Sequence, residues 1–440
     1  MRTLAACLPL LLAATAVAAD PPRPPNVVLI ISDDHAWTDY GFVGHPHVRT
    51  PHLDRLAAQS LVYTRGYDTS SVCCPSLASM ITGLYPHQNK VFSNDPPKPP
   101  GKRPAELAKD ETYRANRRRM VNHITEVPTL PRLLADRGYM SLQTGKWWQG
   151  SYRTAGFTHG MTHGDPDRGG RHGDAGLDIG RKTIQPIYDF VAEAKKDGKP
   201  FFVWYAPMLP HQPHNAPDRF VAHSKDKTPS PFVARYWANI EWFDETCGQL
   251  LDFLDKQGLA EDTIVLYLSD NGWVQNPTVN SPQRSKLTQY DAGHRTPLMV
   301  RWPGRVKPGR DEHPVSAIDL APTILHAAGV TPPASLPGVD LLDAAAVARR
   351  PAVFGECFLH DAVDVDDPAA GLRYRWVVAG DWKLIVPEKR QVPDGVAELY
   401  HLSADPGELR NLATVEPAKV VELRKMVDAW WNPMPGAARQ

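Results

Sequence analysis

The chain of 440 residues carries 49 lysines and arginines against 49 aspartates and glutamates, a formal charge of zero at pH 7. That balance argues against a dedicated nucleic-acid binder, which gathers basic residues, and 42% hydrophobic with 22% charged residues excludes a disordered chain. The 43 prolines belong to no repeat, so they imply many stiff surface loops.

Arg2 supplies one positive charge, and a short apolar run from residue 4 to 17 then closes on Ala18-Ala19. This is the pattern of a secretory signal peptide over residues 1–19. The run falls short of the ~20 apolar residues of a membrane span, and no later stretch reaches that length. The expected mature protein is secreted or periplasmic, with no membrane span. Four cysteines then remain: Cys73, Cys74, Cys247 and Cys357. An exported chain invites disulfides, yet a bridge between adjacent Cys73 and Cys74 would be badly strained, so these cysteines need another explanation.

Residues 27–31 form a continuous apolar, β-branched run, as expected of a buried parallel strand. Ser32-Asp33-Asp34 follows directly and places two carboxylates at the carboxyl end of that strand. Paired carboxylates repel unless a cation or a shared proton compensates. A helix is expected to start near Pro75, with Cys73 at its amino end, where backbone N–H groups favour an anion. Residues 94–104 read as loop, rich in proline and lysine. Lys109 and Arg117-Arg118-Arg119 read as a solvated helix face. Thr129 is expected to cap a helix through Asp136, ended by Gly138 before a strand at 140–142.

Residues 159–174 form a second long loop, rich in Gly, His, Arg and Asp. Ile184, Ile187, Val191 and Ala194 recur at helical spacing, as do Ile240, Phe243, Cys247, Leu250, Leu251 and Leu254. Residues 201–206 and 263–268 read as further buried strands, the second running into Ser269-Asp270-Asn271-Gly272. Strands alternating with helices imply an α/β fold around a large mixed, mostly parallel sheet flanked by helices. Ligands of such sheets sit beyond the carboxyl ends of the strands. Asp33, Asp34, Asp270 and Asn271 would converge there, and an all-oxygen set suits Ca²⁺ or Mg²⁺.

The texture changes after about residue 335. Residues 375–378 and 382–385 flank Gly380-Asp381 as a hairpin, residues 398–402 form another candidate strand, and 416–431 a closing helix. The expected organisation is a catalytic domain over residues 20–334 and a smaller C-terminal α+β subdomain, an antiparallel sheet plus helix, over 335–440.

The run Cys73-Cys74-Pro75-Ser76, followed by Thr82-Gly83, resembles the signature of the type I sulfatases of the alkaline-phosphatase-like superfamily. The likeness extends from Pro25-Asn26-Val27 to Leu399-Tyr400-His401-Leu402-Ser403-Ala404-Asp405-Pro406. It implies that a formylglycine-generating maturation enzyme oxidises Cys73, selected by Pro75 two residues on, and that the aldehyde hydrate is the nucleophile. Asp33, Asp34, Asp270 and Asn271 match the family's metal ligands, usually for Ca²⁺, with residue 73 completing the shell. Lys146 in Gly145-Lys146-Trp147 and Lys286, four residues before Tyr290, match sulfate-contacting lysines. His211 in Pro210-His211-Gln212-Pro213 matches a histidine beside the leaving oxygen, suited to general-acid work. One hydroxyl of the hydrate attacks sulfur and the other then expels sulfate, with a metal and two lysines stabilising the charge.

Two positions depart from the pattern. Leu77 stands where the family has an arginine, and Trp148 where it has a histidine. His35 and His87 are the expected substitutes, and a variant active site is expected rather than a decayed one. Asn94, Asp95, His163, Arg171, His172, Asp174 and His294 are further candidates to line a substrate pocket. The resemblance and the expected export together imply hydrolysis of a sulfate ester on a sulfated carbohydrate. A phosphodiester or phosphonate ester hydrolase of the same superfamily, and a non-catalytic binder of sulfated glycans, remain open alternatives.

Overall fold

The structure, a computed structural model, describes residues 23–164 and 172–433; the expected signal peptide and Arg171 lie outside them. The main sheet contains β1 (Asn26–Ser32), β2 (Leu61–Tyr67), β3 (Met140–Gly145), β4 (His159–Gly160), β5 (Phe201–Ala206), β6 (Thr263–Ser269), β7 (Arg295–Arg301), β8 (Gly309–Asp311) and β9 (Val315–Ser316). Its order is β4-β3-β5-β1-β6-β7-β2-β8, with β9 also paired to β2. All pairs are parallel except those of β7, which runs against both β6 and β2.

The continuous apolar runs are explained by cover on both faces. Val27, Leu29 and Ile31 enter a core shared with helices Cys73–Thr82 and Leu320–Ala327. Val28 and Ile30 enter the opposite core, shared with helices Gln185–Lys196 and Pro231–Lys256. Ile187, Val191 and Ala194 are buried in the first of these helices, and Ile240, Phe243, Cys247, Leu250, Leu251 and Leu254 in the second. Each such aliphatic side chain contributes about 1.5–3 kcal/mol on burial.

The register positions the site. Ser32 pairs with Ser269, and Gly145 with Ala206, so β1, β3, β5 and β6 end level with one another. Because β7 is antiparallel to both β6 and β2, β2 ends on the same edge. The segments that follow these five strands carry residues 33–34, 146, 211, 270–271 and 73.

A second sheet joins β10 (Val353–Phe358), β11 (Leu372–Ala379), β12 (Trp382–Pro387) and β13 (Glu398–His401), all antiparallel. Ala379 pairs with Trp382 across Gly380, whose φ of 56° explains the glycine in this turn. Leu423 and Val427 of helix Pro417–Trp430 pack on Val377, Leu384, Val386 and Leu399. The two sheets meet where the Glu356 N–H donates to the Thr69 carbonyl at 2.8 Å.

One local expectation fails. Thr129 does stand before helix Leu130–Ala135, but its hydroxyl donates to the Ala155 carbonyl at 2.6 Å instead of capping. A tertiary carbonyl outcompetes the local amide. The helix expected near Pro75 spans Cys73–Thr82, with Cys73 at its amino end and Val72 extended before it. Cys73, Cys74, Cys247 and Cys357 are all buried free thiols. No helix among the described residues is long and apolar enough to cross a membrane.

Candidate active site

Asp33 and Asp34 leave β1 by a sharp turn, with Asp34 at φ 61°. Aspartate tolerates this left-handed conformation better than bulkier residues do. The Asp33 N–H donates to the Leu209 carbonyl at 2.9 Å, and the Asp34 N–H to Asp270 Oδ1 at 3.1 Å. The two carboxylate-bearing turns are thereby tied together. Asn271 Nδ2 completes the tie by donating to Asp34 Oδ1 at 2.7 Å.

Two ammonium groups enter the cluster on separate segments. Lys146 comes straight off β3 after Gly145, which has φ 75° and where a Cβ would run into the Ala206 carbonyl. Its Nζ lies 2.6 Å from Asp33 Oδ1 and 3.4 Å from Asp270 Oδ2. Lys286 Nζ lies 2.6 and 2.8 Å from the two Asp34 oxygens. The Lys286 loop is seated by the Leu287 N–H, which donates to the Ser71 carbonyl at 3.0 Å, just before Cys73. Burial alone would raise the Asp34 carboxyl, but the Lys286 ammonium, with Lys146 behind it, holds it well below the usual carboxylate range. Burial outweighs Lys146 at Asp33 and raises it, and burial together with Asp33 pushes Asp270 up to about 7. Burial would also depress both lysines, yet the carboxylates hold them charged.

Cys73 is buried at the first position of its helix, and burial pushes its thiol up to about 12 despite both lysines. An unmodified Cys73 is therefore a neutral thiol and a poor nucleophile. His211 Nε2 faces Asp34 Oδ2 at 3.4 Å, while Nδ1 lies 2.6 Å from the Gln212 carbonyl. A carbonyl only accepts, so Nδ1 carries a hydrogen, and a proton gained at Nε2 would face the Asp34 carboxylate, which likewise only accepts. Burial lowers this imidazole to about 3, so His211 as folded is not charged, and Nε2 must gain a proton before it can donate one.

Ligand atoms of Asp33, Asp34, Cys73 and His211 all lie within 4.8 Å of one another. Asp33 Oδ2 and Asn271 Oδ1 are buried acceptors without a hydrogen-bond partner. Three carboxylates against two lysines, with orphaned oxygens in their midst, fit a hard divalent cation held by Asp33, Asp34, Asp270 and Asn271.

The other expected residues divide. His35 is not brought into this cluster: its ring stacks on Tyr40 at 4.0 Å and its Nε2 faces the Asp39 carbonyl at 3.0 Å. His87 turns to Glu356 and stacks on Trp431 at 4.3 Å. His294 sits under Trp376 at 5.0 Å, with Nδ1 on the Asp68 carbonyl at 3.2 Å. Neither His35 nor His87 is turned to the cluster as a substitute for the absent histidine, and His294 is not turned to it as a pocket residue, because each is held by aromatic packing and a nearby acceptor. Asn94 does reach the site, its Oδ1 accepting the Cys74 N–H at 3.0 Å, and Asp95 accompanies it. His172 packs edge-on against Trp148 at 4.7 Å. His163 and Asp174 hold each other through the His163 N–H, which donates to Asp174 Oδ2 at 2.9 Å. Leu77 and Trp148, at the two departing positions, are both buried in the core cluster around Cys73.

Several contributors were not expected. Arg181 Nη2 donates to the His211 carbonyl at 2.9 Å, and Asn239 Nδ2 to the Pro210 carbonyl at 3.2 Å, gripping the loop that carries His211. Arg117 is not part of a solvated face: it donates to the Asn94 carbonyl at 2.9 Å and to Asp95 Oδ1 at 2.8 Å. Its place three residues before Met120, the buried residue of helix Glu111–Asn122, was the available signal. Lys383 of β12 is fully buried between Asp291, at 2.8 Å, and Glu408, at 2.9 Å, which ties the second sheet to the Lys286 loop.

The profile of the Sulfatase family matches residues 25–330, and that described as N-sulphoglucosamine sulphohydrolase, C-terminal, matches residues 285–429. The chain is 28% identical over 374 residues to the N-acetylgalactosamine-6-sulfatase of Canis lupus familiaris, covering 74% of this chain and 67% of that protein. Human arylsulfatase A is 30% identical over 371 residues, covering 72% of this chain and 67% of its own length. The fold is also similar, with a TM-score of 0.71 and 19% identity over 93% of this chain and 97% of the other, to a protein solved in complex with its substrate D-glucosamine-2-N,6-O-disulfate.

Proposed function

The chain belongs to the sulfatase family, and from that premise we propose that it hydrolyses a sulfate ester on a carbohydrate, with residue 73 as the nucleophilic position. One observation carries the reading: Lys146 and Lys286 converge on three carboxylates beside the amino end of the Cys73 helix, at the carboxyl edge of the sheet. A sulfate monoester needs positive charge placed where charge develops on its oxygens.

When oxidised, residue 73 supplies a hydrated aldehyde in place of the unreactive thiol. A bound divalent ion supplies Lewis-acid charge and a counter-charge for Asp33, Asp34 and Asp270. The rest is done by the chain. Lys146 and Lys286 hold the sulfate oxygens beside the amino end of helix Cys73–Thr82, where the helix dipole favours an anion. His211 exchanges a proton with the leaving oxygen at Nε2, the ring atom turned toward the carboxylates. Arg181 and Asn239 keep that ring in place through the carbonyls they hold. Export and conversion of Cys73 belong to the same reading.

The test is peptide mass spectrometry at residue 73 on protein from a host able to convert such cysteines, together with turnover of 4-nitrophenyl sulfate beside 4-nitrophenyl phosphate. Formylglycine at residue 73 and preference for the sulfate are expected. An unmodified thiol with tight glycan binding, or a preference for phosphate, would sink the proposal.

A further inference from the structure

We propose that Asn94, Asp95, Lys98, Arg117, His360 and Asp361 form the subsite for the sugar ring whose sulfate reaches residue 73; this rests on the sulfatase reading and deepens it. The group is attached to the reacting end of the molecule. Asn94 Oδ1 accepts the Cys74 N–H at 3.0 Å, in the first turn of the helix that starts at Cys73. Asn94 Nδ2 lies 3.3 Å from His360 Nε2, and the Asn94 N–H donates to the His360 carbonyl at 2.9 Å. Asp361 Oδ1, 2.6 Å from His360 Nδ1, orients the imidazole with its other nitrogen toward Asn94. Arg117 braces the near side through Asn94 and Asp95, with its guanidinium 5.9 Å from the Trp148 ring. Lys98 Nζ lies 2.8 Å from Asp361 Oδ2 on the far side.

Burial grades outward through this group. The Asp95 side chain is 3% exposed, Asp361 33% and His360 36%, so the polar atoms run from the Cys73 helix to open water. Convergent Asp95, His360 and Asp361 atoms would suit either a divalent cation or a polyhydroxyl ligand. Charge decides between them. Lys98 and Arg117 already pair with Asp361 and Asp95, so a cation would have to displace an ammonium and a guanidinium to reach the same oxygens. Sugar hydroxyls both donate and accept, and they match a rim where carboxylate and imidazole acceptors alternate with guanidinium and ammonium donors.

Net charge also separates the two ends of the substrate. At the sulfate end a bound divalent ion together with Lys146 and Lys286 would outweigh Asp33, Asp34 and Asp270, while at this rim two positive and two negative side chains cancel. A second acidic substituent on the same ring would meet no uncompensated cation here. The substrate class is a singly sulfated, otherwise neutral sugar.

The test compares kcat/KM on 4-nitrophenyl sulfate, which lacks the ring hydroxyls, with kcat/KM on N-acetylgalactosamine 6-sulfate, galactose 6-sulfate and glucosamine-2-N,6-O-disulfate. The matured wild-type protein should prefer a singly sulfated sugar. In His360→Ala and Asp361→Asn the sugar-to-aryl ratio should fall about tenfold or more, carried by KM rather than kcat. His360→Gln, which keeps a donor and an acceptor, should recover part of the ratio, and thermal melts confirm that the variants fold. Equal losses on aryl and sugar sulfates would overturn the subsite, as would aryl turnover with none on any sugar, or a preference for the disulfate. A Ca²⁺ equivalent lost specifically in Asp361→Asn would assign the group to a cation instead. Failure of the wild-type protein on every sulfate ester, aryl included, would remove the sulfatase reading itself.

Discussion

Replacing Lys286 with methionine keeps a side chain of similar length and removes one charge. Its Nζ lies 2.6 and 2.8 Å from the Asp34 oxygens, at the head of a loop seated on Ser71, and the proposed complex puts a sulfate oxygen beside it. A unit charge about 4 Å from a developing negative charge, at an effective dielectric constant of about 20, is worth about 4 kcal/mol. Loss of a single preorganised donor elsewhere costs about 2.7–4 kcal/mol, or about 10²–10³ in kcat. The two routes agree, so Lys286→Met should lower kcat on 4-nitrophenyl sulfate by about 10²–10³, with a smaller change in KM. Asp34 keeps Asn271 Nδ2 at 2.7 Å but loses its strongest counter-charge, so a urea titration must first show that the variant is folded. Lys286→Arg restores the charge on a longer, planar group and should recover only part of the rate. A folded Lys286→Met with kcat within about threefold of wild type would refute the electrostatic argument, because the remaining charges would then suffice.

Cys73→Ala should abolish turnover in a folded protein, whereas Cys74→Ala, which removes a thiol that accepts from Gln149 Nε2 at 3.1 Å, should be far milder; equal loss in both would show that the wrong cysteine has been assigned. Lys383→Met leaves Asp291 and Glu408 buried without their shared cation and should destabilise by about 3–5 kcal/mol in urea unfolding. Adding Asp291→Asn and Glu408→Gln should recover much of that, and an unchanged midpoint for Lys383→Met alone would contradict it. Burial raises the Asp244 carboxyl from 3.8 to about 7, so between those values the folded state holds a proton that the unfolded chain has released. The stability this contributes is complete below pH 3.8 and lost as pH rises through about 7. Asp244→Asn should therefore flatten the fall in urea midpoint between about pH 4 and pH 7, the window between the unfolded and folded values; an identical fall in the variant would exclude Asp244 as a source.

The parts of the site that follow directly from strands were legible because strand ends are local features. An apolar run buried on both faces ends where Ser32-Asp33-Asp34 and Ser269-Asp270-Asn271 begin, and parallel pairing brings those ends together whatever lies between. Lys146, Lys286 and His211 were legible by resemblance alone, since no local pattern distinguishes them from other lysines and histidines. His35 and His87 misled for the same reason: nearness in sequence to a reacting residue does not decide which way a side chain turns.

The sequence by itself determined the α/β class, the two cores on either face of the sheet, the carboxylate-bearing strand ends and the cysteine at a helix amino end. These depend on periodicity, on the residues that end elements, and on contacts within a few positions. Only the tertiary structure decided that Arg117 turns inward to Asn94, that Lys383 crosses from the second sheet to the Lys286 loop, and that His360 and Asp361 arrive beside the Cys73 helix. Those partners are tens to hundreds of residues apart. Each polar group takes whichever counter-charge or acceptor the packing of the sheets delivers, and that choice is made in three dimensions.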